Sequence, residues 1–224
     1  MMRKAYLGSV VALALVLAAV AARAAQTTTI EPTRIDFETG TIEAPPPGFT
    51  AELTGKGKPV RWVVLEDPSA PAGPKVLAET SGDSTSNRFP LAVLDGFEAK
   101  DVEVSVRFKP VAGKIDQAAG LIVRVQNADN YYIARANALE NNVRLYKLVD
   151  GRRQQFAGVD VPVPNGRWQT LTLRVKGETF AVALDGRELF QITDGTISGA
   201  GRVGVWTKAD SLTHFDNLVV RRIQ

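Results

Sequence analysis

The chain has 224 residues, no cysteine, and 27 Lys and Arg against 24 Asp and Glu. The missing cysteines exclude a disulfide framework and thiolate metal sites, and a chain of this length buries a full core without such staples. Arg3, Lys4 and Arg23 are the only charges before Ala25, so taking them from the 27 leaves 24 basic against 24 acidic residues, a balance that excludes the clustered basic excess a nucleic-acid partner needs.

The first element in chain order is a signal peptide over residues 1–25. Arg3 and Lys4 form a basic start, and an apolar stretch from Ala5 to Ala22 is interrupted only by Gly8 and Ser9. Ala22-Arg23-Ala24 then supplies the small-x-small pattern of a cleavage site. A retained anchor is the alternative, but a membrane-crossing helix needs about 20 apolar residues and this stretch is short and alanine-diluted. No cysteine follows, so lipoprotein anchoring is excluded. The mature chain is expected to begin near Ala25 or Gln26, to be periplasmic or secreted, and to have no membrane association once cleaved.

Residues 26–33 are polar and expected to be flexible, and residues 34–224 read as one domain. Ile35-Asp36-Phe37-Glu38 alternates apolar with acidic, as a half-buried strand does. Pro45-Pro46-Pro47-Gly48 is a loop, Val60 to Leu65 a β-branched run, and Pro68 to Pro74 another loop. Val102 to Phe108 has apolar even positions and polar odd ones. Leu121, Val123 and Val125 alternate with Ile122, Arg124 and Gln126 in the same way. After the turn at Asp129-Asn130 come strands over Tyr131–Asn137 and Val143–Val149, joined onward by Asp150-Gly151, a hairpin dipeptide. Pro164-Asn165-Gly166, Lys176-Gly177 and Asp185-Gly186 punctuate further strands over 168–175 and 179–184. Val203 to Thr207 and Phe215 to Val220 complete the set. Short strands with turn residues at roughly ten-residue intervals predict an all-β fold, a single antiparallel β-sandwich of two large sheets.

Strand parity places candidate site residues on faces. Arg124, Arg135 and Asn137 occupy alternating positions on adjacent strands, and Tyr131 shares that parity. Tyr132 falls on the opposite face, toward the core. Trp206 and Lys208 share a face in a late strand, with Asp210 just beyond, and Glu140 sits in the turn Leu139-Glu140-Asn141-Asn142. Asp101 and Glu103 share a strand face and read as solvated. Trp62 and Trp168 read as structural, Trp168 as a plug of the sandwich core. The lone His214 lacks the ligand spacing of a zinc site.

Gly120-Leu121-Ile122-Val123-Arg124, Asp129 through Asn137, Gly201 through Ser211 and Phe215-Asp216-Asn217 together resemble the concanavalin A-like lectin/glucanase superfamily. The likeness runs from about Ile35 to the C-terminus. Within the superfamily it is nearest to bacterial 3-keto-disaccharide hydrolase-type domains and looser to laminin G-like modules. The resemblance implies a jelly roll whose concave face takes a glycan or oligosaccharide. The residues expected to line that groove are Arg124, Tyr131, Arg135, Asn137, Glu140, Trp206, Lys208 and Asp210. It also implies a structural Ca²⁺ where the first and last strands meet, with Asp216 and Glu38 as ligands. Glu140 is the one candidate for a catalytic group. The laminarinase pattern Glu-x-Asp-x-x-Glu is absent, and Arg107 stands where hydrolase-type relatives often carry an acidic residue. Three functions stay open: a carbohydrate-binding domain, a glycoside hydrolase of the 3-keto-disaccharide type, and a laminin G-like protein-binding module.

Overall fold

A computed structural model describes residues 31–223; the signal peptide expected over residues 1–25 lies outside the described residues. Fifteen strands and no helix are found among the described residues. They are β1 (Thr33–Ile35), β2 (Phe49–Gly55), β3 (Trp62–Glu66), β4 (Lys75–Glu79), β5 (Arg88–Ala99), β6 (Val102–Ala112), β7 (Ala118–Asn127) and β8 (Asn130–Asn137). The rest are β9 (Asn142–Val149), β10 (Arg152–Asp160), β11 (Gln169–Lys176), β12 (Thr179–Leu184), β13 (Arg187–Thr193), β14 (Gly201–Trp206) and β15 (Leu212–Arg222).

Local chemistry sets these elements. In β6 the even positions Val102, Val104, Val106 and Phe108 are buried while Glu103, Ser105, Arg107 and Lys109 are half-exposed, the period of two expected of a strand with one dry face. The β9–β10 hairpin turns at Asp150-Gly151 with φ of 49° and 71°, and β12–β13 at Asp185-Gly186 with 49° and 78°. Two successive positive φ values are what a type I′ turn requires, and Asp-Gly tolerates them.

The strands form two sheets paired antiparallel throughout. One has the order β13-β12-β11-β6-β15-β4-β3, with β1 joining β15 alongside it to make eight. The other has seven in the order β10-β9-β8-β7-β14-β5-β2. This is the all-β antiparallel sandwich read from the sequence. Thr33 is already paired with Val220, so β1 is tied down from its first residue.

The core between the sheets collects the even positions of β6, Leu171, Leu173 and Val175 of β11, and Leu121, Val123, Tyr132, Ala134, Leu145 and Val205 from the facing sheet. Trp62 joins it, its ring 5.9 Å from that of Phe215. Trp168 does not plug this core. It shares parity with Thr170 and Thr172, the outward positions of β11, so it lies half-buried on the surface. There its indole N–H donates to Ser69 Oγ at 3.1 Å and Lys109 sits 5.3 Å over its ring.

Candidate functional site

The outer face of the seven-stranded sheet carries a second apolar cluster: Phe89, Leu91, Val93, Ala118, Ile122, Val125, Tyr131, Ile133, Leu148 and Trp206. From Tyr131 to Asn137, β8 is buried on both faces. Trp206 stacks on Phe89 at 5.6 Å and 22°. Gly120 makes room for it, since a Cβ there would lie 2.8 Å from Trp206 Cε3. Tyr131 reaches across the curled sheet to Thr54, with oxygens 2.7 Å apart. Tyr131 and Trp206, expected in the groove, are wholly buried. They form the floor of the face and present no ring to solvent. The Trp206 indole N–H lies near the Tyr131 hydroxyl without making a hydrogen bond of ordinary geometry.

Toward one end of the face the floor gives way to polar groups. Cross-strand register sets Arg135 opposite Arg144, Ile133 opposite Tyr146 and Asn137 opposite Asn142. Arg135 Nη2 donates to Glu140 Oε2 at 2.6 Å and to Asn142 Oδ1 at 2.7 Å, and Asn142 Nδ2 donates to Glu140 Oε2 at 3.0 Å. Asn137 shapes the turn carrying Glu140, because its Oδ1 accepts the N–H of Leu139 and of Glu140. Its amide nitrogen donates to the buried Asp116 at 2.5 Å, and Lys208 pairs with the same carboxylate. Asp210 stands behind this loop, accepting the main-chain N–H groups of Lys114, Ile115 and Asp116. Arg135, Asn137, Glu140 and Lys208 therefore come together, with Asp210 holding the loop that presents Asp116.

Four members of this cluster were not singled out in the sequence: Asp116, Asn142, Tyr146 and Arg153. The Arg135 guanidinium lies 5.4 Å from the Tyr146 ring centre, and Arg153, from edge strand β10, lies 4.7 Å from that of Tyr146 and 4.7 Å from that of Phe89. Tyr146 shares the parity of Arg144 and Leu148, the signal that could have placed it here.

Arg124 does not join them. The register of β7 against β8 shifts after Val123, and Arg124 takes a φ of 51° at this bulge. The extra residue turns its side chain off the face that simple alternation assigns. Its guanidinium is buried under Phe180, donating to Lys100 O at 3.1 Å, to Ile197 O at 2.9 Å and to Gly177 O. It closes one end of the sandwich by satisfying loop carbonyls.

Residues 92–223 match the family described as galactocerebrosidase, C-terminal lectin domain. The chain belongs to that family. No curated protein matches the chain. Among solved structures, a carbohydrate-binding module, CBM66, from Bacillus subtilis is similar at 19% identity and a TM-score of 0.60, over 78% of this chain and 95% of that one. Domain 4 of AbnA, a GH43 extracellular arabinanase from Geobacillus stearothermophilus, in complex with arabinotriose, is similar at 14% identity and a TM-score of 0.56, over 87% of this chain and 93% of that one. A protein of unknown function, SO2946, from Shewanella oneidensis gives 15%, 0.57, and 87% of each chain. At these identities the likeness is one of fold: the lectin-type sandwich that the sequence resemblance implied. The lectin-domain match spans the whole polar cluster, from Asp116 through Lys208 and Asp210.

Asp216 lies inside the matched segment and Glu38 outside it. Asp216 is fully buried, its oxygens accepting the N–H groups of Ala72 at 2.8 Å and Asn217 at 2.6 Å. Burial pushes its pKa up, and the charges of Glu38 and Asp36 push it further. Glu38 Oε1 accepts the N–H of Lys75, while the Lys75 ammonium donates to the carbonyls of Glu38 and Gly40, each at 2.9 Å. No group of three acidic, His or Cys side chains is set to hold a metal among the described residues. A calcium ion here would have to complete its oxygen shell from main-chain carbonyls, and two of those nearest Glu38 already hold an ammonium.

A cleft of about 240 Å³ opens elsewhere, between β2 and β3, lined mainly by Pro45, Pro46, Phe49, Val60 and Trp62. Its charged members, Glu43 and Arg61, pair with each other at 2.6 Å, which leaves it few hydrogen-bonding groups for a polyol. The polar cluster on the seven-stranded sheet is the better candidate on chemical grounds.

Proposed function

We propose that this protein is an extracytoplasmic carbohydrate-binding domain, and that it takes its glycan at Arg135, Glu140, Asn142 and Tyr146 on the outer face of the seven-stranded sheet. The observation that carries this is the grouping of an amide, a carboxylate and guanidinium groups around one aromatic ring, in a member of a lectin-domain family. Planar amide, carboxylate and guanidinium groups bond sugar hydroxyls in pairs, and the largely buried Tyr146 ring backs the two guanidinium groups. Export rests on the first 25 residues, whose pattern is that of a cleaved signal.

The state of Glu140 argues against the acid role in glycoside hydrolysis. Burial raises its pKa, but hydrogen bonds from Asn142 and Arg135 and the charges of Arg135 and Lys208 outweigh that and hold it below the ordinary value. A glycosidase acid must keep its proton near neutral pH, and this carboxylate is tuned the other way.

The test is a glycan array with the protein and its Glu140→Gln and Tyr146→Ala variants, run with calcium and again with a chelator. Each substitution should weaken binding about tenfold or more, with the melting temperature little changed in Glu140→Gln, whose side chain is 45% exposed, and lowered in Tyr146→Ala, whose ring is largely buried. Absence of binding to every glycan would sink the proposal and favour the laminin G-like alternative of a protein partner. The calcium ion at Asp216 and Glu38 is part of the proposal, supported by the buried Asp216 carboxyl, which burial and the charges of Glu38 and Asp36 push up in pKa. A melting temperature unchanged by chelator would overturn it and leave Lys75 as the cation of that corner.

A further inference from the structure

We infer that the glycan taken at this face is acidic, and that Arg153 receives its anionic group, a carboxylate or a sulfate ester. The inference rests on the glycan-binding proposal above and deepens it. Three cations and two carboxylates make up the cluster, and the pairing is uneven. Arg135 pairs with Glu140 and Lys208 with Asp116. Arg153 has no carboxylate within 4.0 Å and donates no hydrogen bond to any protein acceptor among the described residues, and its Nη1 is buried.

What the protein does give Arg153 is two aromatic faces. The guanidinium lies 4.7 Å from the ring centres of both Phe89 and Tyr146. Cation–π contact engages the flat faces of a guanidinium. Its N–H groups lie in the plane of the ion, and contact through the guanidinium carbon with the two rings uses none of them as a hydrogen-bond donor. A guanidinium fork matches a carboxylate or a sulfate in geometry as well as charge. Burial disfavours the charged form of Arg153 and Arg135 adds like charge, while Tyr146, Asp116 and Glu140 offset only part of this; an incoming anion offsets more.

Arg135 shows the same incompleteness on a smaller scale. It is 2% exposed, and although its Nη2 is doubly bonded, its Nε is buried without a partner. Both arginines lie against Tyr146, so the unused donors gather around one ring. The two carboxylates that would repel an acidic sugar are already neutralised, one by Arg135 and the other by Lys208. A neutral sugar would satisfy the donors but leave Arg153 without an anion in direct contact.

The deciding experiment is calorimetric titration of the protein with three trisaccharides: one of hexuronic acid, its carboxyl-reduced neutral counterpart, and a sulfated neutral one. The acidic ligands should bind about tenfold or more tightly than the neutral one, the size of a charge-assisted hydrogen bond. Whether uronate or sulfate leads identifies the anion. Arg153→Gln should abolish the preference, the acidic ligands falling to the affinity that the neutral one has for the same variant. Arg153→Lys keeps the charge without the planar fork and should retain only part of it, which covers the case that Gln disturbs the stack. Equal binding of neutral and acidic ligands, or a preference that survives in Arg153→Gln, overturns the acidic inference and leaves the glycan-binding proposal standing. Failure of all three to bind, in a protein that also recognises nothing on the array, overturns both.

Discussion

The outer faces of the two sheets are built from similar alternating strands and end in opposite states. On β6 of the eight-stranded sheet, Glu103, Ser105, Arg107 and Lys109 stay in contact with water, and Glu103 meets Arg221 at 2.6 Å with both side chains substantially exposed. Exposed pairs of this kind contribute roughly 0–1 kcal/mol. On β8 of the seven-stranded sheet the outward positions Tyr131, Ile133, Arg135 and Asn137 are as buried as the inward ones. Curvature makes the difference, since Tyr131 reaches β2 and Arg153 from one edge strand touches Phe89 far across the sheet. Alternation tells which side a residue faces but not whether that side is wet. Charge placed on the dry side must be paired or await a partner.

The largest expected effect comes from breaking a pair that joins the two sheets. Arg88 opens β5 of one sheet and Glu79 closes β4 of the other. They meet at 3.0 Å with both side chains essentially unexposed, and Arg88 also donates to the carbonyls of Lys58 and Pro59. Arg88→Met strands the Glu79 charge and should cost about 3–5 kcal/mol in chemical denaturation. A loss within the range of an exposed pair would mean that water reaches this seam.

A second substitution set asks whether the outer cluster is a true core. Phe108→Ala between the sheets and Trp206→Ala on the outer face should each cost about 3–5 kcal/mol. Glu103→Ala on the wet face should stay within about 0.5 kcal/mol. If Trp206→Ala behaves like Glu103→Ala, the indole is a surface platform and not the floor of the face.

Much of the fold was legible in the residues themselves. The Asp-Gly dipeptides at 150 and 185 marked hairpins because few other pairs tolerate two positive φ values, and β6 announced its dry face by strict alternation. The site was legible only in part. Parity put Arg135, Asn137 and Lys208 on one face, but it placed Arg124 there too, because a bulge leaves no mark in a run as regular as Val123-Arg124-Val125-Gln126. Burial of Tyr131 and Trp206 depends on the curl of the sheet, a property of how distant strands meet. Arg153 stood hidden in Arg152-Arg153-Gln154-Gln155, a stretch that reads as a solvated edge strand until Phe89 is seen beneath it. Asp116 sits in a loop, where no period applies.

Adjacent tyrosines give the smallest and most selective test. Tyr131 faces outward and its hydroxyl meets the neutral Thr54; Tyr132 faces inward and donates to Asp194 Oδ1 at 2.6 Å. Asp194 also accepts from Lys147 Nζ at 2.7 Å and from the N–H of Thr196 at 2.8 Å. Burial works to raise its pKa, but these donors prevail and hold it well below the ordinary value. A carboxylate depressed in the folded state stabilises the protein above its unfolded pKa, about 4, and that contribution is lost as pH falls below it. Burial, then Asp194, pushes Tyr132 up to about 12. Its contribution is complete below the unfolded value of about 10 and is lost as pH rises through the folded one. Melting temperatures should therefore fall on both the acid and the alkaline side. Asp194→Asn should flatten the acid limb in part, because Asp67 and Asp83 are also held below the ordinary carboxylate value by their hydrogen bonds. Tyr132→Phe should flatten the alkaline limb only in part, because Tyr131, raised chiefly by burial on the other face, still titrates there. An acid limb identical in Asp194→Asn would show that the inner tyrosine's carboxylate is solvated, and that the two faces differ less than the packing of Tyr131 and Tyr132 implies.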